Sequence, residues 1–193
     1  MRKLFLIFFS CLMLSCVNQS ILESQMDQQI SEFSGVTLNG IRINKTYFLG
    51  KVTVLNFLSF HCQSSIAEIN MLNELQKKYS ENAFQVLAIA QHSRHECEEH
   101  TSLKEYKLSY KNNIYHVDIA QFPLIFTVEN GDSLGWKKIT KLFAVEGTPG
   151  TFVIDKHGRI EMFLDGYPRP NDSLAIKTMK ATIMQKIDNL LSE

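Results

Sequence analysis

The sequence predicts an α/β domain: a central mixed β-sheet flanked by helices, with a β-hairpin extension ahead of it. Three observations carry this expectation. Val52 to Phe57 and Phe84 to Ala90 are short, β-rich apolar runs of the kind that are buried on both faces of a sheet. Between them Ile66, Ile69, Leu72, Leu75 and Tyr79 recur at three- and four-residue spacing, with Glu68, Asn73, Glu74, Lys77 and Lys78 among the polar positions, as in an amphipathic helix. Further on, Thr151 to Ile154 and Arg159 to Phe163 flank the turn Asp155-Lys156-His157-Gly158 and read as a hairpin. A strand–helix–strand unit pairs its strands in parallel with a right-handed crossover. A hairpin pairs them antiparallel, so the sheet is mixed.

A chain of 193 residues with 45% apolar and 21% charged residues fits one globular domain with a proper core. The formal net charge is zero, which gives nucleic acid no electrostatic footing. Residues 1–16 differ in kind from the rest. Arg2-Lys3 precede an apolar stretch from Leu4 to Leu14, which is too short to span a bilayer and reads as the core of a signal peptide. Met13-Leu14-Ser15-Cys16 resembles a bacterial lipobox, in which Cys16 would carry the lipid and begin the mature chain; an ordinary signal peptide cut nearby is the alternative. Residues 17–32 are polar and Gln/Ser-rich and read as a flexible tether. The domain proper is expected over 33–193.

Its first element is a hairpin, Val36 to Leu38 and Ile41 to Ile43 around Asn39-Gly40. The strand–helix–strand unit comes next. Residues 91 to 115 are polar, rich in His, Glu and Lys, with a helix expected near Thr101 to Lys111. Leu124 to Val128 is a short strand, and Leu134 to Phe143 is helical in pattern. A last helix is expected from about Asp172 to Leu191, with Ile176, Met179, Ile183, Ile187 and Leu190 along one face.

Cys62 falls where the first apolar strand gives way to the helix. Unpaired N–H groups and the positive end of the helix dipole favour a thiolate there. His61 offers either a neighbouring cation or a partly exposed ring. Ser65, three residues on, can cap the helix or hydrogen-bond the thiolate. Cys62 could instead be an inert buried thiol, or form a structural disulfide with Cys97. Cys97 lies between glutamates, which raise a thiol pKa. His92, His95, His100 and the nearby glutamates are metal-ligand types without regular ligand spacing, so the stretch reads as a solvated polar loop, and no metal or cofactor is expected.

Leu49-Gly50-Lys51 leading into Val52–Phe57 and Cys62, together with Glu146 to Gly158 (Glu-Gly-Thr-Pro-Gly-Thr-Phe-Val-Ile-Asp-Lys-His-Gly), resemble TlpA-like extracytoplasmic thiol-disulfide oxidoreductases. These belong to the thioredoxin-fold superfamily and the broader redoxin (AhpC/TSA-type) group. The resemblance covers about residues 33 to 191. It implies a thioredoxin-like three-layer fold, with Cys62 as nucleophile and Pro149 in a cis peptide bond beside it. It also implies that Thr148 and His61 meet the substrate. The departures are as specific: His61 stands for the usual Trp, Ser65 for the resolving cysteine, and Asn70 for a helix proline.

The resemblance further implies an enzyme of the cell envelope, held to the membrane through lipid on Cys16. It would act through one cysteine on exported proteins with thiols or disulfides. An external thiol, a membrane electron donor, or Cys97 as a distant resolving thiol would release the product. Two alternatives stand beside this. One is a thiol-peroxidase-like redoxin, for which Ser59 fits a Thr/Ser-x-x-Cys pattern while Leu55 replaces its upstream proline. The other is a non-catalytic binding lipoprotein that keeps the fold.

Overall fold

The computed structural model describes residues 28–30, 32–128 and 133–193. The leader, Cys16 and most of the tether segment lie outside the described residues. The elements are β1 (Ser34–Val36), β2 (Arg42–Asn44), a 3-10 turn (Lys45–Phe48), β3 (Val52–Leu58), α1 (Gln63–Lys78), β4 (Phe84–Ser93) and α2 (Arg94–Ser102). They continue with β5 (Glu105–Tyr110), β6 (Asn113–Asp118), β7 (Leu124–Val128), α3 (Leu134–Leu142), β8 (Gly150–Ile154), β9 (Ile160–Asp165) and α4 (Ser173–Ser192).

Five strands form the central sheet in the order β7-β4-β3-β8-β9. β3 pairs in parallel with β4, and β4 with β7, while β8 runs antiparallel to both β3 and β9. The expected mixed sheet is therefore present, and every residue of β3 is buried. Side chains alternate across its faces, as the two-residue period requires. Val52, Val54 and Leu58 of β3 join Phe84, Val86 and Ala88 of β4 under α1 and α4, which contribute Ile69, Leu72, Leu75, Ile183 and Ile187. Leu55, Phe57, Leu87 and Ile89 face the other way, with Phe48, Ile139 of α3, Phe143 and Phe152. These are the three layers of a thioredoxin-like fold. β1 and β2 form the expected N-terminal hairpin, whose turn is rounded by Gly40 at φ 81°.

Two expectations fail in the stretch after β4. The helix expected near Thr101 to Lys111 is a hairpin, β5–β6, paired from Glu105↔Asp118 to Tyr110↔Asn113. The reason is a period of two: Tyr106 and Leu108 are buried while Lys107 and Ser109 point outward. Lys111 and Asn112 form the two-residue loop at φ 46° and 64°, the positive pair that hairpin twist favours. The polar run ahead of it is not a loop but α2. Ser93 and Glu96 close a capping box: Ser93 Oγ accepts the Glu96 N–H, and the Glu96 carboxylate accepts the Ser93 N–H at 2.8 Å.

Residues 28–30, at the end of the segment read as tether, are fastened to the sheet. Ile30 donates its N–H to Gly158 O, and Ile160 donates to Gln28 O, both at 2.9 Å. Ile30 is apolar and finds a place in the core, where it is 1% exposed. Among the described residues no helix is long and apolar enough to cross a membrane.

Candidate active site

β3 ends at Leu58, the chain turns through Ser59, Phe60 and His61, and Cys62 is the N-cap of α1. The turn is closed by Cys62 N–H donating to Ser59 O at 2.9 Å, and the helix begins with Ile66 N–H donating to Cys62 O. Cys62 is partly exposed, whereas Ser65 is 2% exposed. Ser65 does not cap the helix. It sits inside the first turn, where its Oγ accepts the Ser59 N–H at 3.3 Å. With its oxygen held from that side, its proton is free to face Cys62.

The thiol donates to Thr148 O at 3.2 Å, and the Thr148–Pro149 bond is cis. Burial of the sulfur works to raise its pKa. The Ser65 N–H and hydroxyl, the Thr148 side chain and the Ser64 N–H outweigh it, and the Cys62 pKa falls below the ordinary cysteine value. The site therefore serves both forms: a carbonyl accepts the thiol proton, and donors at the helix start meet the thiolate.

Cys97 is a free thiol, as is Cys62, so the disulfide alternative is not realised. It points from α2 into the core and is fully buried. Burial, then Glu96 and Glu98, push its pKa up to about 12. A thiol held protonated in this way is a poor attacker at neutral pH.

Two residues named from the sequence take parts in the site that were not expected of them. Glu68, read as one of the polar positions of the helix, is fully buried beneath it. Its carboxylate accepts from Asn56 Nδ2 at 2.9 Å and from Thr151 Oγ1 at 2.7 Å, tying α1 to β3 and β8. Burial dominates over both bonds and raises Glu68 to about 7. The helical period could have found it, because positions 65, 68, 69, 72 and 75 form one face. His92, near the end of β4, is 1% exposed and bonds the turn: Phe60 N–H donates to its Nε2 at 2.8 Å.

Around this turn Phe60 stacks on His100 with centroids 4.2 Å apart, and the exposed His61 meets His92 edge-on at 4.8 Å. Ligand atoms of His61, His92 and Glu96 come within 4.8 Å of one another. A cation on His92 Nδ1 would force the ring proton onto Nε2, facing the Phe60 N–H. That donor already claims the Nε2 lone pair, and His92 Nδ1 lies 3.6 Å from Glu96 Oε1, so the three form a compact polar cluster. Ser59 Oγ accepts the His61 N–H and lies 3.3 Å from His92 Nε2, so the hydroxyl that fits a peroxidase pattern is engaged elsewhere.

The model of the AhpC/TSA family matches residues 26–163, most of the chain and all of this site. The chain belongs to the AhpC/TSA family. Within this redoxin family it is similar to the thiol-disulfide oxidoreductase ResA of Bacillus thuringiensis subsp. konkukian, 25% identical over 142 residues, or 74% of this chain and 70% of that protein. Among solved structures it is similar to a DsbE-type thiol:disulfide interchange protein from Chlorobium tepidum, at TM-score 0.63 and 20% identity over 86% of this chain and 97% of that one. It is also similar to the pneumococcal exposed lipoprotein thioredoxin Etrx1 of Streptococcus pneumoniae, at TM-score 0.55 and 18% identity over 83% of this chain and 100% of that one. The likeness to the two solved structures shows the thioredoxin-like fold.

Proposed function

We propose that this redoxin is a thiol-disulfide oxidoreductase of the cell envelope that works as a monothiol, through Cys62 alone. The observation that carries this reading is the asymmetry between the two described thiols. Cys62 is accessible and its thiolate is favoured, while Cys97 is buried with a pKa of about 12, and a serine occupies the position three residues after the nucleophile.

In the first step the Cys62 thiolate attacks one sulfur of a substrate disulfide. The S–S bond breaks, the other substrate sulfur leaves as a thiolate, and a mixed disulfide joins Cys62 to the substrate. In the second step another thiolate attacks the mixed disulfide and expels Cys62 as thiolate. When that thiolate is the substrate's own, the disulfide is isomerised. When it is an external thiol, that thiol supplies the electrons. Thr148 and Pro149, beside the sulfur, border the substrate chain, and exposed His61 flanks it. Partners on this reading are exported proteins with thiols or disulfides, and an external thiol or membrane donor. The leader-like stretch Leu4–Leu14, the lipobox-like Cys16 and the likeness to an exposed lipoprotein thioredoxin support a lipid-held position outside the cytoplasm.

The test is capture. The purified protein is mixed with a disulfide-bonded peptide, quenched, and mapped by mass spectrometry. A mixed disulfide on Cys62, released by added glutathione, is the expected result. No adduct on Cys62, together with alkylation that follows an ordinary cysteine pKa, would overturn the proposal.

A further inference from the structure

The Cys62 turn is held from beneath by a histidine that the reaction itself does not call on. His92 Nε2 receives the Phe60 N–H at 2.8 Å and lies 3.3 Å from Ser59 Oγ. Ser59 Oγ takes the His61 N–H, Ser59 O takes the Cys62 N–H, and Ser59 N–H goes to Ser65 Oγ. Through this chain the ring sets the turn, the turn sets the Ser65 hydroxyl, and that hydroxyl faces the sulfur.

The donor at Nε2 fixes the ring's state. A backbone N–H at 2.8 Å can only be met by a lone pair, so Nε2 is unprotonated and the proton sits on Nδ1, 3.6 Å from Glu96 Oε1. We infer that His92 is a positioning residue for Cys62: its ring, neutral and protonated at Nδ1, accepts the Phe60 N–H and fixes the Ser59–His61 turn, and protonation at Nε2 releases that turn.

The groups facing the ring are consistent with a neutral state. Among the described residues Glu96 of α2 is the one anion acting on it, His100 of α2 and His61 of the turn oppose a charge there, and Phe60 covers a side. Burial first, then His61 and His100, lower its pKa below 6.5 against the pull of Glu96. The lock is thus closed at neutral pH and opens in acid. This rests on Cys62 being the working thiol, so the decisive readouts are chosen to be independent of turnover.

Long-range 1H–15N spectra of the histidine rings at pH 7.5 should show His92 protonated at Nδ1 only. Two variants separate the roles of the ring. His92→Gln offers an amide oxygen to Phe60 N–H and cannot titrate; His92→Phe keeps the ring and removes the acceptor. Hydrogen exchange at the Phe60 amide should speed up by about fivefold or more in His92→Phe and stay near wild type in His92→Gln.

The alkylation rate of Cys62, divided by its thiolate fraction, should rise in wild type as pH drops through the His92 titration, because a thiolate that loses the Ser65 hydroxyl is more nucleophilic. It should stay level in His92→Gln. A ring protonated at Nε2 at pH 7.5 overturns the inference. So does a His92→Phe variant whose Phe60 exchange and per-thiolate rate match wild type; if that variant fails to fold, the tautomer and the level profile of His92→Gln decide. If Cys62 proves unreactive in every form, the monothiol proposal fails, while the tautomer and the Phe60 amide still judge the lock.

Discussion

Replacing Glu68 by Gln should change how the stability of this protein depends on pH. The carboxyl is fully buried and keeps its proton up to about 7, against an ordinary value of 4.5. Its folded pKa is raised, so between these values the native state binds more protons than the unfolded chain. The stability that the protonated carboxyl confers is full below pH 4.5 and is lost as pH rises through 7. At 1.36 kcal/mol per pKa unit, the difference amounts to about 3 kcal/mol across that window. Glutamine keeps the shape and cannot ionise; its one carbonyl oxygen accepts from Asn56 or from Thr151, and its amide group takes the place of the other carboxylate oxygen. Urea unfolding at intervals from pH 4.5 to 8.5 measures the effect. The Glu68→Gln variant should gain on wild type by about 3 kcal/mol from one end of the range to the other. Parallel stability curves, with a constant gap, would refute the reasoning, because they would mean that Glu68 ionises in the fold as it does in water.

Ser65→Ala removes the hydroxyl facing the sulfur and the acceptor of the Ser59 N–H, so the pH midpoint of Cys62 alkylation should move upward and the rate at pH 7 should drop several-fold. Cys97 should resist iodoacetamide in the native protein at pH 8 and react on unfolding, as peptide mapping would show; native labelling equal to that of Cys62 would contradict its burial. Gly135→Ala places a methyl 2.5 Å from the Thr127 backbone oxygen, which no side-chain rotation relieves, and should lower stability by about 1–3 kcal/mol in thermal or urea unfolding.

The sheet was legible because its strands are strong local signals. Val52–Phe57 and Phe84–Ala90 can only be buried, and Asp155 to Gly158 carries its own turn chemistry: Asp155 Oδ1 accepts from His157 and Arg159 N–H, and Gly158 takes φ 80°. The strand–Cys–helix junction was legible for the same reason. Strand β5 of the hairpin was hidden because its buried residues, Tyr106 and Leu108, are only two in a run otherwise dense in Lys and Ser. Ser93 and Glu96 do spell a capping box, and that signal was available. Glu68 and His92 were missed for a physical reason. Polar side chains ordinarily stay in water, and what brings these two inside is a partner distant in the chain: Thr151 for one, the Phe60 N–H for the other. Helical spacing puts Glu68 on the buried face of its helix, but spacing along a sequence records neither pairing.

The seam between residues 28–30 and the β8–β9 turn gives the molecule a direction. Ile30 is bonded at Gly158, and Ile154, just before that turn, lies opposite Thr53 at the start of β3. Cys62 lies beyond the other end of that same strand, whose seven residues span about 20 Å. The point where the chain enters the domain and its reactive sulfur therefore occupy opposite poles. A molecule gripped at its amino-terminal end holds its thiol outward, like the tip of a probe, with the whole depth of the sheet between the grip and any disulfide it meets.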